Sequence, residues 1–363
     1  MQPDVKMSIQ NKMAFVRAYL LDSGMDAFLF LDMKNIRYLT GFKGSDGALL
    51  VGTTDTVLLV DGRYITQAKR ESQGAAIYEY RDKMTGLMAV MKDKNVKAVG
   101  FEPASMTVDT YLKMQDKLDG ISLQPIADQF YSLRAVKSEE EIRFMKKAID
   151  ISADALKDIE GLLKPGASEM DIALELEYKM RARGAEQVSF PTIAASGPNS
   201  ALPHASPGNR RLQDGDVLVI DYGAAYGGYR SDETWTCVIG HADKKQKDVY
   251  ALVKDAHDRA LDKLRSGLLC KDIDLIARTC IEKGGFGDFF PHSTGHGIGL
   301  DVHESPRIAA QSEAVLKAGM VVTIEPGIYI PDLWGMRIED MALIRDDGCD
   351  VLTRTSKNFR VLD

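Results

Sequence analysis

Asp221 and Asp232 are two carboxylates that the sequence places on one face of a β-hairpin. The apolar run Val217–Ile220 predicts a strand that ends in Asp221. Gly227-Gly228 is a strong signal for a two-residue turn, and a turn there sets Thr234 opposite Asp221. Asp232 then becomes the diagonal neighbour of Asp221, with Cβ atoms roughly 7 Å apart or a little less. Two carboxylates at that separation can share a pair of metal ions about 3.5 to 4 Å apart.

A second hairpin repeats this arrangement with Glu325 and Glu339. The segments 320–330 and 336–344 are mostly apolar and predict its two strands. The residues between them, Pro331–Gly335, have turn chemistry, and a loop centred there sets the two glutamates face to face. An unpaired buried charge is costly, so an acid in so apolar a strand needs a partner.

Each hairpin has an alternative explanation. Asp221 and Asp232 can be solvated acids that flank a turn. Glu325 can form a buried ion pair with Arg337 in place of a metal bond. The recurrence of paired acids in two hairpins, which also suggests a weak internal duplication, favours a common metal centre.

Three histidines lie in a glycine-rich segment of the same half of the chain, namely His292, His296 and His303. The glycines among them argue against a helix and favour a loop in close contact with other groups. His204 also lies near a proline, whereas His241 and His257 stand among charged residues and are expected to be solvated.

The charges of these groups predict the number of metal ions. Four carboxylates are neutralised by two divalent cations, and one neutral imidazole adds a nitrogen ligand. A ligand set dominated by oxygen suits Mn²⁺, Co²⁺ or Fe²⁺ at least as well as Zn²⁺. We therefore expect two divalent ions per chain, with Mn²⁺ or Co²⁺ preferred.

The chain of 363 residues is long enough for two domains. Alternating strands and helices predict an α/β domain over 1–132, with strands at 27–31, 48–51, 56–60 and 98–101 and a helix at 63–70. A capping box at Ser138–Glu141 opens the second domain, an α+β unit over 135–363. Further helices are predicted at 168–183, 245–264 and 273–283.

Composition excludes several classes of function. A net charge of −7 argues against nucleic-acid binding, which needs clustered Lys and Arg. The four cysteines lack CxxC spacing, so neither a zinc finger nor a redox motif is predicted. Since neither a secretory signal nor an apolar run long enough to span a membrane is visible, we expect a cytoplasmic protein.

Short motifs in both halves resemble one enzyme family. The resemblance is to the pita-bread metallopeptidases, in particular Xaa-Pro aminopeptidases and Xaa-Pro dipeptidases (prolidases), and it implies an N-terminal domain of creatinase type before a C-terminal pita-bread domain. It covers the whole chain. The motifs are Asn35-Ile-Arg-Tyr-Leu-Thr-Gly-Phe42, Asp61-Gly-Arg-Tyr64, Asp221-Tyr-Gly, Ser231-Asp232-Glu-Thr, His292-x-x-x-His296-Gly-Ile-Gly, Val302-His303-Glu, Thr323-Ile-Glu325-Pro-Gly-Ile-Tyr329 and Arg337-Ile-Glu339-Asp.

The resemblance implies a role for each candidate residue. It assigns Asp221 and Asp232 to one metal and His296 and Glu325 to the other, with Asp232 and Glu339 bridging. Substrate and the developing oxyanion are assigned to three further histidines, and the orientation of an acidic ligand to an arginine. These four residues are His204, His292, His303 and Arg337.

Other implications concern reaction, substrate and assembly. The expected reaction is cleavage before proline by a hydroxide that bridges the metals, with His292 or His303 at the oxyanion and Glu325 as the proton shuttle. Arg307 is a candidate for binding the free carboxylate of a dipeptide, although a solvated arginine is equally consistent with its place at a loop end. Related enzymes pair through the N-terminal domain, so a homodimer is expected.

Three alternatives share the fold. Methionine aminopeptidases have the same ligand set, but they lack the N-terminal domain and have Gln-x-Glu where Arg337-Ile-Glu339 stands. The metal-free creatinase branch and a non-catalytic binding module should have lost ligands, and here all five are present. One departure from the family is Trp235, where many members have Arg, and it puts only local support and pocket shape in doubt.

Overall fold

The computed structural model describes residues 9–118, 120–127 and 130–363 and divides into two compact units, Met1–Leu133 and Arg134–Asp363. The boundary falls within a short helix, α6 in chain order, at Tyr131–Ala135. Each unit has an apolar core of its own, as expected for a chain of this length.

The N-terminal unit is a six-stranded mixed sheet with helices. Its helices are α1 (Ile9–Ser23), α2 (Met33–Thr40), α3 (Ile65–Glu71), α4 (Lys83–Asp93) and α5 (Val108–Lys117). Its strands are β1 (Ala27–Phe30), β2 (Ala48–Gly52), β3 (Thr56–Asp61), β4 (Ala76–Tyr80), β5 (Ala98–Phe101) and β6 (Ser122–Pro125), in the order β4-β3-β2-β1-β5-β6. Strands β1, β2 and β3 are antiparallel, and the outer pairs are parallel.

Four of these strands and helix α3 were predicted from apolar runs, each to within one or two residues. Helices α1, α2, α4 and α5 were not. Helix α2 had a readable signal, because Asp32 caps its N-terminus and Gly41 ends it in the left-handed conformation at φ 83°. Gly41 therefore marks the end of a helix.

The C-terminal unit contains two pairs of packed helices. The first pair is α7 (Glu139–Ile159) and α8 (Glu169–Ala182), and the second is α9 (Lys244–Lys263) and α10 (Cys270–Lys283). The predicted capping box opens α7: the Ser138 hydroxyl accepts from the Glu141 backbone N–H, and the Glu141 carboxylate accepts from that of Ser138. Helices α8, α9 and α10 were predicted to within three residues at each end, and for α7 the N-terminus was predicted.

The strands of this unit form several small sheets that are antiparallel except for the parallel pair β12–β20. They are β7 (Gln187–Val188), β8 (Ile193–Ser196), β9 (Val217–Tyr222), β10 (Ala224–Tyr226), β11 (Tyr229–Arg230), β12 (Glu233–Ile239), β13 (Gly295–Gly297), β14 (Glu304–Ile308), β15 (Val321–Ile324), β16 (Gly327–Ile330), β17 (Trp334–Arg337), β18 (Asp340–Ile344), β19 (Cys349–Val351) and β20 (Val361–Leu362). Two sheets matter for the site, β20-β12-β9-β8 and β14-β13-β15-β18-β19.

The register of the first hairpin is the predicted one. Tyr226 pairs with Tyr229 across Gly227-Gly228, and Thr234 pairs with Asp221. Both glycines have positive φ, at 62° and 85°, as the tight turn requires.

The second hairpin keeps the predicted register but is not continuous. Gly327 pairs with Arg337 on one side of the break, and Ile324 pairs with Asp340 on the other. The single strand predicted over 320–330 is wrong, because Pro326 has no N–H to donate to the ladder. Glu325 and Glu339 therefore lie in the gap between two short ladders, where neither is held in regular pairing.

Gly295 permits a close approach of two strands beside His296. A Cβ at residue 295 would lie 1.9 Å from the Thr323 carbonyl oxygen on the neighbouring strand β15. That distance is far inside van der Waals contact with a backbone atom, so the strands would have to separate.

We predict that Gly295→Ala destabilises the protein by about 1 to 3 kcal/mol, the cost of overpacking a well-packed interior. The matched control is Gly348→Ala, where an added Cβ has open space within 4 Å, and its effect should stay within about 0.5 kcal/mol. Thermal unfolding of both variants measures this, and equal stability of the two would contradict the packing argument.

Candidate metal centre

Asp232, His296 and Glu339 converge on one point of the C-terminal unit. One potential ligand atom from each lies within 4.8 Å of the others, and all three residues are buried. They come from three places in the chain: Asp232 precedes β12, His296 is the middle residue of β13, and Glu339 stands in the gap between β17 and β18. Only the tertiary fold brings them together.

Glu325 and Asp221 border this group. The His296 Nε2 atom lies 3.4 Å from Glu325 Oε1 and 3.7 Å from Asp232 Oδ2. Asp221, on β9, points a carboxylate oxygen at Arg337 Nη2, 2.6 Å away. The alternative in which Arg337 pairs with Glu325 is therefore not the arrangement found, since the arginine makes its ion pair with Asp221.

Two further side chains form hydrogen bonds with the acids or with Arg337, and neither was predicted as a site residue. The Thr234 hydroxyl donates to Glu339 Oε2 at 2.7 Å and accepts from Arg337 Nε at 3.0 Å. The Tyr329 hydroxyl accepts from Arg337 Nη1 at 2.8 Å. Thr234 could have been predicted as a site residue, because the predicted register already placed it opposite Asp221.

Burial and mutual repulsion act on these acids together. Burial, followed by the charges of Glu339 and Asp221, raises the pKa of Asp232 well above its ordinary value. Burial, followed by the charges of Glu325 and Asp221, does the same to the pKa of Glu339. Burial raises the pKa of Glu325 to about 7, with Arg337 opposing the shift.

The donor set fits divalent cations. One buried oxygen of Asp221 and one of Glu339 have no hydrogen-bond partner among the described residues, although a buried carboxylate oxygen normally has one. One arginine cannot neutralise four ionised carboxylates. Burial, with a smaller contribution from His303, lowers the pKa of His296 to about 4, so its imidazole is neutral at pH 7 and able to donate a lone pair.

The remaining histidines differ in their surroundings. Both nitrogens of His292 are engaged: Nδ1 lies 2.9 Å from the Ser293 carbonyl oxygen, and Nε2 lies 3.0 Å from the Tyr329 hydroxyl. His303 is exposed, and its ring packs edge-on against His296 at 4.4 Å between centroids. His204 is also exposed.

Arg307 lies opposite His296 in the β13–β14 pair, so the two side chains share a face of the sheet. It is exposed, and among the described residues it has no hydrogen-bond or ion-pair partner. Its positive charge contributes to the lowered pKa values of His296 and His303, in both cases after the larger effect of burial.

Two expectations about other side chains are now settled. His257 is not solvated as predicted: only 1% of it is exposed, because α9 buries it against Asp340. Trp235, the expected departure from the family pattern, is buried in the core formed by α7, α8 and β9 and lies against Arg360. Its ring therefore packs away from the acids.

Comparison with known families agrees with this geometry. Residues 143–346 match metallopeptidase family M24, and residues 12–136 match the creatinase/prolidase N-terminal domain. The chain belongs to family M24. It is therefore a metallopeptidase with a creatinase-type N-terminal domain and a C-terminal pita-bread domain, as the motifs had predicted.

Several relatives and solved structures are similar to this chain over nearly their whole length. An Xaa-Pro dipeptidase of Pyrococcus furiosus is 36% identical over 94% of this chain and 97% of its own. The structure of an Xaa-Pro dipeptidase from Bacillus anthracis matches with a TM-score of 0.95 and 34% identity, covering 98% and 100% of the two chains. That of an X-Pro aminopeptidase from Thermotoga maritima matches with a TM-score of 0.88 and 36% identity, covering 93% and 98%.

These matches also bear on the alternatives. The relatives named as dipeptidases and prolidases support an enzyme over a non-catalytic module, and the matching N-terminal domain disfavours the methionine aminopeptidase alternative. None of the helices in the described ranges has the length and apolar character that crossing a bilayer requires.

The pKa of Glu325 predicts how the metal-free enzyme responds to pH. The pKa of Glu325 is about 7 in the folded protein, against an ordinary value of 4.5. The contribution of Glu325 to folding stability is therefore fully present below pH 4.5 and is lost as the pH rises through 7. Glu325→Gln does not titrate. In EDTA, the variant should therefore gain stability over wild type between pH 5 and pH 8, by on the order of 2 kcal/mol.

Urea unfolding in EDTA at several pH values measures this difference. The matched control is Glu313→Gln, at a glutamate whose side chain is 74% exposed, and its difference from wild type should not change with pH. A Glu325→Gln difference that stays flat from pH 5 to pH 8 would contradict the burial argument.

Proposed function

We propose that this enzyme hydrolyses the peptide bond between an N-terminal residue and proline, with two divalent metal ions. The observation that carries the proposal is the convergence of Asp232, His296 and Glu339 within 4.8 Å, bordered by Asp221 and Glu325. Xaa-Pro dipeptidases and an X-Pro aminopeptidase are similar to the chain from end to end, which supports the substrate class.

Five residues would hold the metals. Asp221 and Asp232 would serve one ion, His296 and Glu325 would serve the other, and Asp232 and Glu339 would be shared by both. Oxygen donors predominate, which favours Mn²⁺ or Co²⁺, with Fe²⁺ and Zn²⁺ also accommodated. When bound, such a pair supplies Lewis acidity and lowers the pKa of water towards neutrality, so hydroxide is available as the nucleophile.

Positioning and proton transfer fall to the protein's own side chains. Arg337 holds Asp221 in place through its 2.6 Å contact and is itself held by Thr234 and Tyr329. Glu325 is the residue proposed to carry a proton to the leaving proline nitrogen, since its carboxylate borders the group of converging ligands 3.4 Å from His296 Nε2.

His303 is the better candidate for the oxyanion contact. Tyr329 accepts from Arg337 and so has its own proton free for His292 Nε2, while His292 Nδ1 faces a carbonyl oxygen that can only accept. Both ring nitrogens of His292 are thereby used within the protein. His303 is exposed beside His296 and has its ring available, as has His204.

The two histidine roles predict opposite results on metal content. His296→Ala removes a ligand, so the purified variant should lose bound metal. His303→Ala should retain metal and lose rate by about 10²- to 10³-fold, the effect of one oxyanion-stabilising donor. Elemental analysis and turnover of an Ala-Pro substrate measure both quantities. Loss of metal from His303→Ala would show that the assignments are reversed.

Arg307 is relevant to whether the enzyme prefers dipeptides or longer peptides. Its exposed guanidinium shares a face with His296, where a dipeptide's free carboxylate could form a bidentate pair with it. A longer peptide has no carboxylate at that position. We therefore propose dipeptides as the preferred substrates.

Arg307→Ala should lower kcat/KM for a Met-Pro or Ala-Pro dipeptide by the equivalent of about 1.5 to 3 kcal/mol, the value of a hydrogen bond to a charged group. An Xaa-Pro-Xaa tripeptide should be cleaved by the variant as by wild type. Equal losses on both substrates, or none, would rule out the carboxylate contact and favour an aminopeptidase.

The homodimer and the cytoplasmic location stay predictions. Both rest on the sequence and the family resemblance, and the description of one chain tests neither. Light scattering decides the first, because a dimer has twice the 40.0 kDa mass of the chain.

A further inference from the structure

The two strands that carry the bridging acids have charged residues on their other face. Asp232 is followed by Glu233 at the start of β12, and Glu339 is followed by Asp340 at the start of β18. Since successive side chains of an extended segment point to opposite sides, Glu233 and Asp340 lie behind the metal centre. Both are buried, at 0% and 5% exposed.

Lys357 joins these two rear acids. It lies in the C-terminal segment beyond β19 and is 8% exposed. Its Nζ atom is 2.6 Å from Glu233 Oε1 and 3.5 Å from Asp340 Oδ1. The backbone N–H of Thr355 donates to the same oxygen of Glu233 at 3.1 Å, so the segment is fixed beside the lysine as well.

Asp340 has two further partners. Its Oδ2 atom lies 3.2 Å from Nε2 of the buried His257, and the Thr353 hydroxyl donates to its Oδ1. Burial alone would lower the pKa of Lys357, but the charges of Glu233 and Asp340 outweigh it and raise that pKa. The lysine is therefore charged at neutral pH.

This linkage matters because the bridging acids come from different sheets. Strand β12 belongs to the sheet β20-β12-β9-β8, and β18 belongs to β14-β13-β15-β18-β19. On the metal side the two strands are joined at Thr234, whose carbonyl oxygen accepts from the Glu339 backbone N–H at 3.3 Å and whose hydroxyl donates to the Glu339 carboxylate. On the opposite side, Lys357 contacts Glu233 and Asp340, the immediate neighbours of Asp232 and Glu339, and so influences the distance between these two acids.

We infer that Lys357 is a positioning residue for the metal centre, which holds Asp232 and Glu339 at the separation that two metal ions require. The inference rests on the proposed function, because it takes those two acids as bridging ligands. The C-terminal segment Thr353–Lys357 thereby becomes part of the metal centre, although it supplies no ligand.

A positioning role and a purely electrostatic role of Lys357 predict opposite changes in metal affinity when the lysine is removed. Removing a cation near four acids strengthens the binding of a divalent metal if charge alone acts. Loosening the two strands that carry Asp232 and Glu339 weakens metal binding. Substitutions of groups that orient metal ligands typically cost 10- to 100-fold in affinity or activity.

The experiment titrates metal-free protein with Mn²⁺ by calorimetry, comparing wild type with Lys357→Met and with the double variant Glu233→Gln/Lys357→Met. In the double variant, residue 233 has no charge, so no unpaired carboxylate is buried there when the lysine is absent. We therefore expect this variant to fold without the contact between residues 233 and 357. Both variants should bind Mn²⁺ about 10- to 100-fold more weakly than wild type. Both should lose kcat on an Ala-Pro substrate at subsaturating Mn²⁺, with KM little changed.

The matched control is Lys244→Met, which removes an ion-paired lysine whose side chain is 87% exposed; its Mn²⁺ affinity should equal that of wild type. Unchanged or tighter binding by Lys357→Met would overturn the inference, as would wild-type binding by the double variant. If wild type itself does not bind two Mn²⁺ ions, the proposed function fails first and the inference fails with it.

Discussion

Mutual repulsion among largely buried carboxylates is the constraint on which this structure depends. Asp232 and Glu339 are almost fully buried, and Asp221 and Glu325 keep only 14% and 17% of their side chains exposed. Arg337 pairs with only one of these acids. Burial raises the pKa values of all four, and the charges of neighbouring acids raise those of Asp232, Glu325 and Glu339 further, so without cations the cluster favours protonated forms. Bound cations remove that penalty, so metal binding and the stability of this region are linked.

The fold meets this constraint from two directions. On the side of the metals, Arg337 and Thr234 hold the acids in place and add one positive charge. On the opposite side, Lys357 pairs with Glu233 and Asp340, the neighbours of the bridging acids, and His257 contacts Asp340. These contacts give partners to polar groups that are buried within an apolar core.

Much of this could be predicted from the sequence, because the strongest signals were local. Gly227-Gly228 set the register of one hairpin, and the loop after residue 330 set the other, so the pairing of Thr234 with Asp221 was predictable. The family motifs then gave the fold. What could not be predicted depends on contacts far apart in sequence. The burial of His257 results from a contact with Asp340, and Lys357 reaches Glu233 from the far end of the chain. No periodicity or motif encodes such pairs.

The account's central claim is that the four acids and His296 form one centre for two cations. Crystals of Mn²⁺-loaded protein, measured by anomalous diffraction at the manganese edge, test it most directly. The account predicts two peaks about 3.5 to 4 Å apart, with Asp232 and Glu339 between them and Asp221 and His296 on opposite sides. A single peak, or peaks away from these residues, would contradict it.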